Sequence, residues 1–223
     1  GFIYFAGCTV HAMICGVDEA GKGAVIGPLV VAAVGCAHEE DLASLGVRDS
    51  KTLTPRQREV LAGEIRRSFP VATVVLSPAE IDGRGTGMNE LVARCHASAI
   101  ARISPSLAVV DACDVNAERY GEMVSRFLPV PCRVVSRHHA DRDHPAVSAA
   151  SIVAKVERDG IVGRLREEWG DFGSGYPSDP ATVRFLARHV REKGTVPPIA
   201  RRSWETTRAI VARAEQSDLS PFL

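Results

Sequence analysis

The chain has 223 residues, enough to bury one substantial core but too few for two ordinary domains and a linker. Apolar residues make up 45% and charged residues 24%, which excludes a mainly disordered or fibrous chain. The 27 Lys and Arg balance 27 Asp and Glu, so net charge does not call for a polyanionic partner, and any basic surface must be local. Seven Arg and Lys against two Glu between Arg184 and Arg208 form one such concentration. Arg48, Lys51, Arg56, Arg58, Arg66 and Arg67 form another. Both also read as solvated helix faces. The six cysteines are scattered, without the close pairs of zinc or redox motifs, which points to reduced thiols and a cytosolic setting. No apolar run approaches the roughly 20 residues that span a bilayer. Residues 1–12 lack the marks of a secretory signal and read as an appended or dispensable extension ahead of Met13.

In chain order, Ile14 to Val17 is a short apolar strand followed by a Gly-rich turn and a second apolar run, Leu29 to Val34, which together read as a hairpin. Pro55 opens a helix whose apolar positions include Val60, Leu61 and Ile65 up to Phe69, and Val71 to Leu76 forms a third strand. Met88 to Ile103 is helical. Leu107 to Val110 is all apolar, as in a strand covered on both faces. Val134 to Ser136 supplies a fifth strand, and Pro145 starts a long helix through Val147, Ile152, Val156, Ile161 and Leu165. Gly170 to Pro180 breaks that helix, and two more follow, Ala181 to Glu192 and Ser203 to Glu215, separated by Pro197 and Pro198. The tail from Gln216 reads as extended. Early strands and late helices predict an α/β domain over 13–168 around a five-stranded mixed sheet, a helical region over 169–215 and a tail over 216–223.

Three of these strands end at or near carboxylates: Asp18 and Glu19 after the first, Asp111 after the fourth, Asp141 a few residues after the fifth. Ligands gather at such strand ends in open α/β sheets. Hard cations such as Mg2+ and Mn2+ take oxygen ligands, and a bound cation stabilises clustered carboxylates that would otherwise repel one another. Each acid alone is equally a loop residue or a helix cap. Gly21-Lys22-Gly23 puts two unobstructed amides beside Asp18 and Glu19, although a plain hairpin turn explains the same residues. No Ser or Thr follows Lys22, and the glycine spacing misses the dinucleotide pattern, so a nucleotide cofactor is not expected.

The segments GVDEAGKGAVIGPLVVAAV at 16–34, RDSKTLTPRQRE at 48–59, VVDACDVN at 109–116, HADRDHPAVSAASIVAKVERD at 139–159 and GSGYPSDP at 173–180 occur in the order found in ribonuclease HII. The chain resembles that family from about Ile14 to Trp204, most closely its archaeal branch. The resemblance implies a ribonuclease H-like fold and a catalytic and metal site of four acids, Asp18, Glu19, Asp111 and Asp141, holding Mg2+ or Mn2+, two ions during catalysis. It implies hydrolysis of RNA in RNA·DNA hybrids and cutting on the 5′ side of ribonucleotides embedded in DNA, leaving 3′-hydroxyl and 5′-phosphate ends. Roles in removing embedded ribonucleotides and RNA primers follow. Gly21, Lys22 and Gly23 then read the ribose 2′-hydroxyl, and Tyr176 packs against the next sugar. Lys51, Ser148 and Lys155 are further substrate contacts, with Ser148, like Ser151, also explicable as a small helix-packing residue. His138, His139 and His144 flank Asp141 and read as solvated or as proton carriers. Trp169 and Trp204 read as packing residues of the helical region.

Gln216, Leu219, Phe222 and Leu223 form Q-x-x-L-x-x-F-L, resembling the peptide by which replication and repair proteins dock on the sliding clamp, with Leu223 where a second aromatic is usual. A monomer is the family default. A binding module that kept the fold but lost turnover, and a type 2 ribonuclease H that ignores single ribonucleotides, are the competing readings. The intact acids argue against the first. The GKG turn with Tyr176 argues against the second.

Overall fold

The computed structural model describes residues 13–47 and 53–219, with side chains for all of these except 217–219. Residues 1–12, Lys51, Phe222 and Leu223 therefore lie outside the described residues. The chain begins with an antiparallel hairpin, β1 (Ile14–Ala20) and β2 (Leu29–Cys36), paired from Ile14 against Cys36 to Ala20 against Val30. A short helix α1 (Glu39–Ala43) follows. Helix α2 (Pro55–Ser68) starts at a reciprocal cap: the Thr54 hydroxyl accepts from the Gln57 amide and the Gln57 side chain accepts from the Thr54 amide. Strand β3 (Val71–Leu76) pairs antiparallel with β2. Helices α3 (Pro78–Asp82) and α4 (Met88–Ile103) lead to β4 (Leu107–Asp111), which lies parallel to β1. Helix α5 (Ala117–Arg126) crosses to β5 (Arg133–Arg137), parallel to β4. The one-turn α6 (Ala140–Asp143), the long α7 (Pro145–Trp169), α8 (Pro180–Lys193) and α9 (Glu205–Leu219) complete the described chain.

The sheet order is β3-β2-β1-β4-β5, so β1 is central. Side chains alternate between the two faces of a strand, and each face of β1 has its own core. On one face, small residues of α7 (Ala146, Ala149, Ala150, Val153) join Val30, Ala32 and Val34. Gly16 makes this contact close: a Cβ there would lie 2.0 Å from the Ala146 carbonyl carbon. On the other face, Cys15, Val17, Val31 and Ala33 meet α4 and α5 through Ala93, Ala97, Ile100, Tyr120 and Val124. A third cluster joins the turn residues Val25 and Ile26 to α8 and α9 through Phe172, Phe185, Leu186 and Ile210, with Trp169 and Trp204 at its border.

The five-stranded mixed sheet matches the expectation from sequence, and two boundaries need correction. β1 does not stop before Asp18. It runs to Ala20, because β2 continues to pair with it through Ala20 after its pairing with β4 has ended at Val17. The tail is not extended from Gln216: α9 continues to Leu219, since no Gly or Pro interrupts the chain until Pro221. The four short helices α1, α3, α5 and α6 fall in segments that the hydrophobic pattern leaves unassigned.

Candidate active site

The register of the central strands brings the acids together. Val17 is paired with Val110 in parallel β1 and β4, so Asp18 and Asp111 are the next residue on each strand. Asp111 is fixed by the Ala140 amide, which donates to its Oδ1 at 3.0 Å and ties the start of α6 to the end of β4. Asp141, one residue on, is thereby held near it and acts on the Asp111 charge.

Asp18 and Glu19 are not side by side on one turn, as their sequence positions suggest. As neighbours in a strand they point to opposite faces. Asp18, 8% exposed, faces α7, where the Ser151 hydroxyl hydrogen-bonds its carboxylate. Glu19 faces α4, where its Oε2 lies 3.2 Å from Nε2 of the buried His96. Burial, then the charges of Glu19 and Asp111, push the Asp18 pKa up to about 7 against the relief given by Ser151. Asp111 is raised by burial first, then by Glu19 and Asp141.

This donor set suits a hard divalent cation: carboxylate oxygens, mutually repelling and partly desolvated, which a bound cation would hold in the ionised form. Among the described residues no three His, Cys, Asp or Glu side chains close on a single point as a ready cage. The acids fit an open site, in which water and phosphate complete the shell, rather than an all-protein one.

The GKG turn follows directly. Gly21 has a φ of +86°, and a Cβ there would lie 2.3 Å from Arg158 Nε and 2.6 Å from the Pro28 carbonyl oxygen, so only glycine fits. Gly23 is exposed, with nothing within 4 Å of where a Cβ would stand. The Lys22 ammonium is turned inward: it donates to Asn89 Oδ1 at 2.8 Å and to the Cys113 carbonyl at 2.5 Å. Asn89 in turn donates to Asp114, which pairs with Arg119.

Two arginines that the motifs did not single out hold this turn. Arg201 is fully buried and donates to the carbonyls of Gly21 (2.7 Å), Lys22 (2.9 Å) and Gly27 (3.1 and 3.2 Å). Burial, then the Arg158 charge, pulls its pKa down to about 9, which leaves it a cation at neutral pH. Arg158, 4% exposed, lies under the Tyr176 ring at 4.9 Å from the ring centroid. Its Nε and Nη2 have no hydrogen-bond partner among the described residues. The Tyr176 loop is stitched to the turn by the amides of Val25 and Ile26, both donating to the Gly175 carbonyl, at 2.8 and 3.0 Å.

Of the other expected contacts, Lys155 is exposed on α7 and donates to Ser151 Oγ at 2.8 Å, the same serine that acts on Asp18. Ser148 is corrected. It is fully buried, and its hydroxyl donates to the Val47 carbonyl at 2.5 Å, so it packs α7 and does not face a substrate. His144 Nδ1 lies 3.4 Å from Glu39 Oε2, a carboxylate of α1 and not one of the four expected acids. The five described cysteines are free thiols. Among the described residues no helix is long and apolar enough to cross a membrane.

The model of the ribonuclease HII family matches residues 15–207, which include every site residue described above. The chain belongs to the ribonuclease HII family. A ribonuclease HII of Methanospirillum hungatei is 52% identical over 212 residues, covering 94% of this chain and all of that one. Among solved structures, ribonuclease H2 of Pyrococcus horikoshii superposes with a TM-score of 0.87 at 42% identity, over 92% of this chain and 99% of its own. The ribonuclease HII of Archaeoglobus fulgidus, solved as a complex with PCNA, gives 0.80 at 45% identity, over 86% and 95%. A Bst ribonuclease HIII in complex with Mn2+ gives 0.73 at 25% identity, over 92% and 71%. The sheet of this ribonuclease HII member is thus the ribonuclease H-like one, and the chain is an endonuclease of ribonuclease H type, a class that acts on RNA·DNA hybrids.

Proposed function

We propose that the chain incises duplex DNA on the 5′ side of an embedded ribonucleotide, as well as cutting the RNA strand of hybrids, with Asp18, Glu19, Asp111 and Asp141 holding divalent cations. Two Mg2+ or Mn2+ ions, when bound, supply Lewis acidity toward the attacking water and the departing 3′ oxygen. The side chains have separate tasks. Asp18 is steadied by Ser151 and Asp111 by the Ala140 amide, so both carboxylates keep their place at the ends of β1 and β4. The amides of the GKG turn meet the 2′-hydroxyl, the group by which RNA differs from DNA. Tyr176, backed by Arg158, packs against the sugar that follows. Lys155 meets a phosphate. The products carry a 3′-hydroxyl and a 5′-phosphate, and the setting is ribonucleotide and primer removal in a reducing cytosol.

One observation carries this reading: Arg158 touches both the Gly21 side of the turn and the Tyr176 ring, so the ribose reader and the sugar platform form one unit beside Asp18 and Glu19. The test is a duplex with a single ribonucleotide, incubated with Mg2+ or Mn2+, and the cut mapped. A cut on the 5′ side, abolished in Asp18→Asn and reduced in Tyr176→Ala more than binding is, supports the assignment. A cut on the 3′ side, or full activity in Asp18→Asn, overturns it.

The tail residues Gln216, Leu219, Phe222 and Leu223 dock on a sliding clamp in this reading. The Archaeoglobus fulgidus homologue solved with PCNA is the support. Phe222→Ala should weaken clamp binding, measured by surface plasmon resonance, at least tenfold by loss of an apolar anchor. Equal binding by wild type and variant would remove the tail from the interface.

A further inference from the structure

Behind Glu19 runs a line of polar side chains through an otherwise apolar core. His96 occupies an inward position of α4 between Ala93 and Ala97, where the helix pattern calls for a hydrocarbon, and it is 0% exposed. Burying an imidazole is unfavourable unless its nitrogens are engaged. Nδ1 lies 3.2 Å from the hydroxyl of Tyr120, itself fully buried on α5, with the two rings edge to face at 5.7 Å. The Tyr120 hydroxyl also meets the Cys113 thiol. Nε2 faces Glu19 Oε2 at 3.2 Å. That contact is off the line of a hydrogen bond, so both atoms are buried without a hydrogen-bond partner among the described residues. A small rotation of the Glu19 carboxylate would align them. Since a carboxylate only accepts, the ring must present Nε2–H to it, which leaves Nδ1 to the tyrosine hydroxyl.

We propose that His96, anchored by Tyr120, is a positioning residue for Glu19: it holds the buried oxygen of that carboxylate from inside the core and so fixes the orientation in which the other oxygen meets a cation. The inference rests on the reading of Glu19 as a metal-holding acid. Groups that orient a ligating side chain typically change metal affinity or activity by about 10- to 100-fold when removed. The acid thus has two supports of different kinds, the strand backbone and a side chain 77 residues away in sequence, reaching it from the opposite face to α7.

The test uses the full chain and two measurements: Mn2+ binding by titration calorimetry without nucleic acid, and steady-state cleavage of an RNA·DNA hybrid. His96→Leu fills the space without a donor and should weaken Mn2+ binding about tenfold and lower kcat similarly, with KM for the hybrid unchanged. His96→Gln carries an N–H near the Nε2 position and should recover most of both. Tyr120→Phe, which removes only the anchoring hydroxyl, should weaken Mn2+ binding a few-fold with circular dichroism unchanged, and it decides the matter if His96→Leu does not fold. Wild-type Mn2+ affinity in a folded His96→Leu or in Tyr120→Phe overturns the proposal, as does a His96→Gln variant no better than His96→Leu. Asp18→Asn is run in parallel. If it cleaves normally, the catalytic assignment has failed. If it is inactive while His96→Leu is unaffected, only the role of His96 has failed.

Discussion

The acid end of β1 and the turn that follows it are adjacent in sequence and opposite in physical character. At the acid end, like charges are gathered and desolvated: Asp18 is pushed up to about 7, Asp111 is raised, and Glu19 Oε2 is buried without a hydrogen bond among the described residues. At the turn, one guanidinium saturates the carbonyls of Gly21, Lys22 and Gly27, and the Lys22 ammonium is tied to Asn89 and Cys113. The first region is electrostatically incomplete and becomes settled only with a cation. In the second, the turn's carbonyls and the Lys22 ammonium are paired before any substrate arrives, and the donors without a hydrogen-bond partner among the described residues are those of Arg158 beneath it, Nε and Nη2. A site that must tell ribose from deoxyribose gains from a reader whose shape is already set, because no ordering is then left to oppose binding.

The contrast is broken most severely at Arg201. Arg201→Ala would remove a buried cation and its four charge-assisted bonds, leaving three carbonyls to find other partners. Stability should fall by about 3 kcal/mol, seen as a melting temperature lower by roughly 6–12 °C for a chain of this size. The cut at a single embedded ribonucleotide should suffer more than the cut in a continuous hybrid, since a loosened turn loses the 2′-hydroxyl contact first. An unchanged melting temperature, or equal loss on both substrates, would show that the turn does not depend on this strap.

The two regions also differ in how far the sequence discloses them. Periodicity and punctuation place β3 at Val71–Leu76 and α4 at Met88–Ile103 without error, because each is bounded by strong signals such as Pro70, Ser77 and Gly87. The acids are legible as residues at strand ends. Their opposed directions are not, since that depends on β2 prolonging β1 through Glu19 to Ala20. Helix α3 carried a readable signal in Ser77-Pro78 with Glu80, a reciprocal cap, and α5 carried Asn116 as its cap. Arg201 and His96 left almost no local mark. Arg201 acts on Gly21 from 180 residues away, and His96 sits in a helix pattern that reads simply as apolar. Ser148 illustrates the reverse error: a hydroxyl in a motif invites a contact, and only the nearby Val47 carbonyl shows that it is spent on packing.

The smallest effect is the most specific to the acid end. Asp18 binds its proton more tightly folded, at about pH 7, than at its ordinary value of 3.8. Between those values the native state holds more protons than the unfolded state, so stability falls as pH rises through the window and is regained as pH drops. Asp111, raised in the same direction, adds to the slope. Metal-free wild type should therefore melt higher at pH 5.5 than at pH 7.5 by on the order of 5 °C relative to Asp18→Asn, in which that titration is gone. Saturating Mn2+ should flatten the wild-type slope, because the cation favours the ionised carboxylates and takes over the role of the proton. Parallel slopes for the two proteins would mean that Asp18 ionises at no cost. A slope unmoved by Mn2+ would separate the buried acids from the metal they are read to hold.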